Sequence, residues 1–170
     1  REATVLFADI RGFTRLIERA PAPTVIRLLN EYFTLMVDCV QQEGGMLDKF
    51  VGDAVMAVFG TPLAHDDDAD RAVRTSIAMI RALEGYNSRR RAENRHGIDI
   101  RIGINTDVIV SGNIGSPKRM DYTVIGDGVN LASRLEGACK AYGAHILVSE
   151  YTYERLRGTY RSREIDRIVV

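Results

Sequence analysis

Apolar residues change their spacing several times along this chain, and each change marks an element. Residues 3–8, ATVLFA, form a short β-prone run that Asp9 ends, and Gly12 marks a turn before Phe13. The IRGFT loop leads into a short helix. Over residues 23–42, Val25, Leu29, Tyr32, Met36 and Val40 recur at helical spacing, and Gly44 and Gly45 close the pattern. The segment LDKFVGDAVMAVFG, residues 47–60, reads as strand, turn at Val51 and Gly52, and strand, a β-hairpin. A second long helix covers about residues 66–91, with Ala69, Ala72, Val73, Ser76, Ile77, Ile80 and Leu83 on its inner face. Its acidic start, HDDDAD, and basic end, RRR, both suit the helix dipole.

Residues 98–105, IDIRIGIN, alternate as a strand, and 108–110 with Ser111 and Gly112 read as its antiparallel partner. Asp127 is expected to cap a helix over about 128–142. A strand at 145–148, a short helix capped by Ser149 and a last strand pair ending at Val170 complete the series. The order is β, α, α, β, β, α, β, β, α, β, α, β. Hairpins mixed with long helices predict an α+β fold, helices packed on a mainly antiparallel sheet. With no low-complexity segment, internal repeat or Pro/Gly/Ser-rich linker, residues 1–170 read as one domain.

Charge narrows the partners. The 170 residues carry 23 basic and 23 acidic side chains, so the formal net charge is zero. That balance argues against a nucleic-acid groove or an anionic membrane as the main partner. A bound phosphate must therefore be held by a few placed residues. Cys39 and Cys139 lie in helical patterns a hundred residues apart and read as reduced core thiols of a cytoplasmic protein. No run approaches the length of a membrane span, and no basic-then-apolar leader precedes the first strand, so membrane contact and export are not expected. Because the first strand begins almost at residue 1, the chain is expected to be cut from a longer protein.

Several polar residues stand where chemistry is possible. Asp9 ends a strand and Asp53 lies at the turn of the hairpin; carboxylates at neighbouring strand ends can share divalent cations with phosphate oxygens. On spacing alone each also reads as a turn cap, the commoner role for aspartate there. The IRGFT loop offers helix N-terminal amides to a phosphate, or serves only as a connection. Arg101, between apolar neighbours, suits a phosphate contact or a surface ion pair. Asn130 and Arg134, four apart, share a helix face opposite Leu131, Leu135, Ala138 and Cys139; small Gly137 and Ala141 continue that face, which a ligand can approach or solvent can cover. His65 with Asp66, Asp67 and Asp68 reads as helix-start capping rather than a metal cluster. Arg89, Arg90 and Arg91 read as a solvated helix end.

Taken together, FADIRGFT at 7–14, LDKFVGDAVMAVFG at 47–60 and MDYTVIGDGVNLASRLE at 120–136 resemble the class III nucleotidyl cyclases over nearly the whole chain. The resemblance implies a ferredoxin-like βαββαβ core with additional strands and a head-to-tail homodimer with two sites at the interface. It also implies two Mg²⁺ or Mn²⁺ ions on Asp9, Asp53 and the Ile10 carbonyl. Phe13 and Thr14 fall where loop backbone holds the triphosphate, Arg101 on a phosphate contact, and Asn130 and Arg134 on the pair that positions ribose and stabilises the transition state. Lys49 and Thr123 match the base-selecting positions. Lys with Thr looks like the cyanobacterial and bicarbonate-responsive soluble adenylyl cyclases, so ATP is the expected substrate, with sensor domains elsewhere in the protein. Threonine can donate as well as accept, which fixes the base less firmly than aspartate. The chain departs from the pattern in having no lysine after Lys140. A guanylyl cyclase and a non-catalytic nucleotide-binding module are the alternatives. On this reading Lys49 and Asp53 serve different sites and do not pair.

Overall fold

Strand β1 (Glu2–Ile10) is covered on both faces, and alternate residues enter different cores. Leu6, Ala8 and Ile10 pack with Tyr32, Met36 and Val40, while Ala3 and Val5 join Met56, Val58, Val124 and Ala132. Burying a side chain such as Leu6 or Met36 contributes about 1.5–3 kcal/mol. The structure, a computed structural model, describes residues 1–166. After β1 come α1 (Phe13–Arg19), α2 (Ala22–Gln42), the hairpin β2 (Met46–Val51) and β3 (Ala54–Phe59), and α3 (Asp68–Ala92). Then follow β4 (Ile100–Val108), β5 (Val110–Ser116), β6 (Arg119–Ile125), α4 (Asp127–Tyr142), β7 (Ile146–Val148) and α5 (Glu150–Glu154).

The main sheet has the order β2-β3-β1-β4-β7, antiparallel except for the β4–β7 pair. Its first four strands, with the intervening helices, give the ferredoxin-like βαββαβ arrangement expected. The two long helices bury the stripes their spacing predicts, with small shifts. On α2 Leu28 is buried and Leu29 half-buried; on α3 Met79 is buried where Ile77 and Ile80 are half-buried. Cys39 and Cys139 are both free and buried. Among the described residues no helix is long and apolar enough to cross a membrane.

Three expectations need correction. First, residues 108–110 do not pair back on β4. Strand β4 runs to Val108 because Glu2 pairs with Val108, and β5 pairs instead with β6, a strand the spacing did not reveal. Second, Gly126, not Asp127, occupies the N-cap of α4; Asp127 is in the first helical turn, where its charge suits the dipole. Ser149 does cap α5, accepting from the Thr152 amide. Third, residues 155–166 form no strand, and the end of the expected final strand pair, 167–170, lies outside the described residues.

What holds residues 157–160 is a side chain. Buried Asp70 accepts hydrogen bonds from the amides of Arg157 and Gly158 and from the Tyr160 hydroxyl. Desolvation works against its charge, but these donors outweigh it and hold its pKa below the ordinary carboxylate value. A lowered folded-state pKa stabilises above the unfolded value of about 4 and is lost as pH falls through the folded one. Asp70→Asn is therefore expected to cost about 1–3 kcal/mol at neutral pH, with a smaller deficit at an acid pH below the ordinary carboxylate range. Thermal melts at the two pH values check both.

Candidate active site

The turn after β1 depends on Gly12, whose φ of 71° lies in the left-handed region and which starts α1 without a side-chain cap. This places Phe13, half-buried against the core, and exposed Thr14 at the open end of β1. Asp9 and Asp53 meet at that end. The Ile10 amide donates to Asp53 Oδ2 at 2.9 Å, so the Asp53 carboxylate lies against the backbone that carries Asp9. Burial, with Asp9 nearby, pushes the Asp53 pKa up, and the Ile10 amide partly offsets this.

Arg101 is the register partner of Asp9 across β1 and β4. Its Nε lies 3.7 Å from Asp9 Oδ1 and 3.9 Å from Glu136 Oε1, too far for hydrogen bonds. All three atoms are buried and lack a hydrogen-bond partner. Burial, reinforced by the Asp9 carboxylate, raises the Glu136 pKa from 4.5 to about 8. The buried Tyr32 hydroxyl, also without a hydrogen-bond partner, is raised by burial and then by Asp9 and Asp53. Unpartnered buried oxygens are costly, and two adjoining carboxylates fit a hard, oxygen-seeking cation. Among the described residues no group of three or more His, Cys, Asp or Glu could hold a metal ion, so such a cation would draw further ligands from water or phosphate.

Helix α4 lies directly on β4 because Gly103 has no side chain: a Cβ there would strike the Ala132 carbonyl oxygen and the Glu136 amide. Ala132, Leu135 and Cys139 face inward, and Asn130 and Arg134 stand together on the exposed face, as their spacing predicts. Glu136 went unnoticed in the sequence although it shares the buried 132, 135, 136, 139 stripe. A carboxylate on that stripe was the available signal.

Lys49 and Asp53 do not pair. Asp53 binds the Ile10 amide, whereas Lys49 Nζ lies 3.5 Å from Asp48 Oδ2. Thr123, from β6, donates to the same Asp48 carboxylate at 2.8 and 2.9 Å. Residues 74 positions apart are thus gathered on one acid that the sequence reading passed over. His65 and the aspartates after it serve the start of α3, Asp68 accepting from the His65 amide and Asp67 pairing with Arg71 and Arg74.

Because burial and the adjoining Asp9 raise its pKa, Glu136 contributes stability that is fully present below its unfolded value of 4.5 and is lost as pH rises toward the raised one, about 8. In metal-free protein, Glu136→Gln is expected to flatten the fall of melting temperature across that window. An unchanged slope would refute the assignment.

A carboxylate pair at adjoining strand ends, with the Arg101 guanidinium beside Asp9, makes this end of the ferredoxin-like sheet a candidate site for a hard cation, and α4 carries Asn130 and Arg134 on a separate, exposed face. The family profile of the adenylate and guanylate cyclase catalytic domain matches residues 1–170, and the chain belongs to that family. It is 43% identical to the adenylyl cyclase CyaB from P. aeruginosa, whose crystal structure matches with a TM-score of 0.84 over 91% of this chain and 79% of that one. The crystal structure of the guanylyl cyclase Cya2 is also similar: 39% identity, TM-score 0.84, 91% of this chain and 78% of that one. The adenylate cyclase of Anabaena cylindrica is 39% identical over 160 residues, 92% of this chain and 31% of that protein. Adenylate cyclase 1 of Rhizobium meliloti is 39% identical over 88% of this chain and 22% of its own length, so the chain spans a third or less of both relatives.

Proposed function

We propose that this domain converts ATP to 3′,5′-cyclic AMP and pyrophosphate in sites shared by two copies of the chain. The observation that carries the reading is the meeting of the Asp9 and Asp53 carboxylates at the open end of β1, where the Ile10 amide holds Asp53 against the backbone next to Asp9. Asp9, Asp53 and the Ile10 carbonyl would hold two Mg²⁺ or Mn²⁺ ions. When bound, these ions neutralise triphosphate charge and lower the pKa of the ribose 3′-hydroxyl. The 3′-oxygen then attacks the α-phosphorus in line, its proton passing to solvent, and the bond to the β-phosphate breaks to release pyrophosphate.

No protein nucleophile is needed, so the chain's residues position and stabilise charge. Backbone of Phe13 and Thr14 cradles phosphate, and Arg101 supplies positive charge beside Asp9. Asn130 orients the ribose, and Arg134 neutralises charge developing on the α-phosphoryl oxygens. Lys49 and Thr123 read the base. Adenine presents an acceptor at N1 and a donor at N6, which an ammonium and a hydroxyl oxygen satisfy. The Lys/Thr pair is of the type seen in cyanobacterial and bicarbonate-responsive soluble enzymes. Cytoplasmic placement and sensor domains elsewhere in the protein belong to the same reading.

The similarity to a guanylyl cyclase makes cyclic GMP the second reading. Incubation with Mn²⁺ and either ATP or GTP, followed by product identification, separates the two. Cyclic AMP from ATP is expected. Predominant cyclic GMP overturns the substrate, and no product from either nucleotide points to a binding module without turnover.

A further inference from the structure

We propose that Asp48 fixes the direction in which Thr123 hydrogen-bonds a purine, making its hydroxyl an acceptor toward the base and thereby setting the preference for adenine over guanine. The inference rests on the reading of Lys49 and Thr123 as the base contacts. Asp48 is the extra residue of strand β2: Leu47 pairs with Ala57 and Lys49 with the next residue back, Met56, leaving Asp48 without a partner on β3. An inserted residue of this kind bends the strand and re-aims side chains. Neighbours that would face opposite ways in a regular strand here come together, with Lys49 Nζ 3.5 Å from Asp48 Oδ2. The Asp48 side chain has no solvent exposure, while that of Lys49 is 48% exposed and Thr123 is half-buried, so Asp48 lies deeper than the two groups it holds.

The polarity of this contact decides the outcome. A threonine hydroxyl has one hydrogen and two lone pairs, and a carboxylate only accepts. Thr123 lies 2.8 and 2.9 Å from the two Asp48 oxygens, so its one hydrogen is committed there. Toward a ligand it presents lone pairs alone. The adenine N6 amino group satisfies them; guanine O6 sets lone pair against lone pair. Lys49, a donor only, makes the complementary distinction at N1, donating to adenine's lone pair and opposing guanine's N–H. The ambiguity of threonine relative to aspartate is therefore removed by a neighbour, and Asp48 acts as a positioning residue through Thr123.

The test measures kcat/KM for ATP and for GTP, with Mn²⁺, on wild type, Thr123→Val and Asp48→Asn. The ratio of the two is read within each preparation, so a partly unfolded fraction cancels. An asparagine amide can donate to Thr123 and free its hydrogen for guanine O6. The expected result is a fall in the ATP:GTP ratio of about tenfold or more in Asp48→Asn, much of it from improved use of GTP, with Asp48→Glu retaining most of the preference. If Asp48→Asn does not fold, Asp48→Ser removes the charge with a smaller side chain and is read the same way. A ratio that stays at the wild-type value, including equal losses with both nucleotides, overturns the proposal provided Thr123→Val shifts the ratio. If Thr123→Val leaves the ratio unchanged too, the assignment of the base contacts has failed, and the proposal falls with it.

Discussion

Mixing Asp9→Ala protein with Asn130→Ala protein is expected to restore cyclic nucleotide synthesis that each variant alone has largely lost. Asp9 would lie in the metal-binding half of one copy, and Asn130 would reach the ribose from the other. In a two-fold symmetric dimer with shared sites, each mutant homodimer carries one lesion in both sites. A mixed dimer carries both lesions in one site and none in the other. Random exchange makes half the dimers mixed, so about a quarter of wild-type activity is expected. Each single variant is expected to lose about a hundredfold or more, the usual cost of removing a charge-stabilising or positioning contact. A tagged copy pulled down with an untagged one verifies exchange. Exchange without recovery would eliminate the shared site.

Gly103→Val is expected to be the most damaging single change outside the polar site. A side chain there meets backbone of Ala132 and Glu136 rather than a flexible neighbour, so α4 must lift from β4. Overpacking of this kind costs about 3 kcal/mol, which for a chain of this length lowers the melting temperature by about 10 °C. Activity should fall further than stability, because Asn130 and Arg134 ride on the same helix. Gly85→Ala is the control: nothing lies within 4 Å of a Cβ at that exposed position of α3, and removing a helical glycine should add up to about 1 kcal/mol. Thermal melts and initial rates on both variants check the pair. A Gly103→Val protein that melts and turns over like wild type would show that the close approach is dispensable.

Where burial imposes a period, the sequence was readable. The stripes of α2 and α3, the central β1 and the β2–β3 hairpin all follow from apolar spacing, because each turns a definite face to a core. Strand β6 escaped because it lies in a two-stranded sheet with little cover: Met120, Tyr122 and Ile125 are exposed and Val124 is buried, so no clean alternation exists. The stretch beyond Arg155 misled for a related reason. The amides of Arg157 and Gly158 are satisfied by Asp70, 87 and 88 positions earlier, a contact that leaves no local periodicity.

The polar sites divide in the same way. Asp9 and Asp53 were visible because turns bracket them, and Asn130 and Arg134 because they share a face four residues apart. Asp48 was hidden by regular strand alternation, which puts it opposite Lys49. Only the extra residue in β2 brings the two together, and nothing in LDKF announces it. Glu136 was hidden by its neighbours' identity as a helix stripe, although burial and the adjoining Asp9 raise its pKa well above the ordinary carboxylate range.

The β5–β6 arm carries Thr123 but belongs to neither the main sheet nor a complete layer. Its ties to the rest include the Thr61–Tyr122 hydroxyl contact at 2.6 Å and the Thr123–Asp48 bonds, and it leaves Val110, Ile114, Met120 and Ile125 open to water. Two strands alone are barely stable in water. If a second copy shelters this arm in the proposed dimer, the energy that joins the subunits is also the energy that steadies the base reader. Association and nucleotide recognition then become linked equilibria, and the protein's own concentration acts as an allosteric effector of ATP affinity.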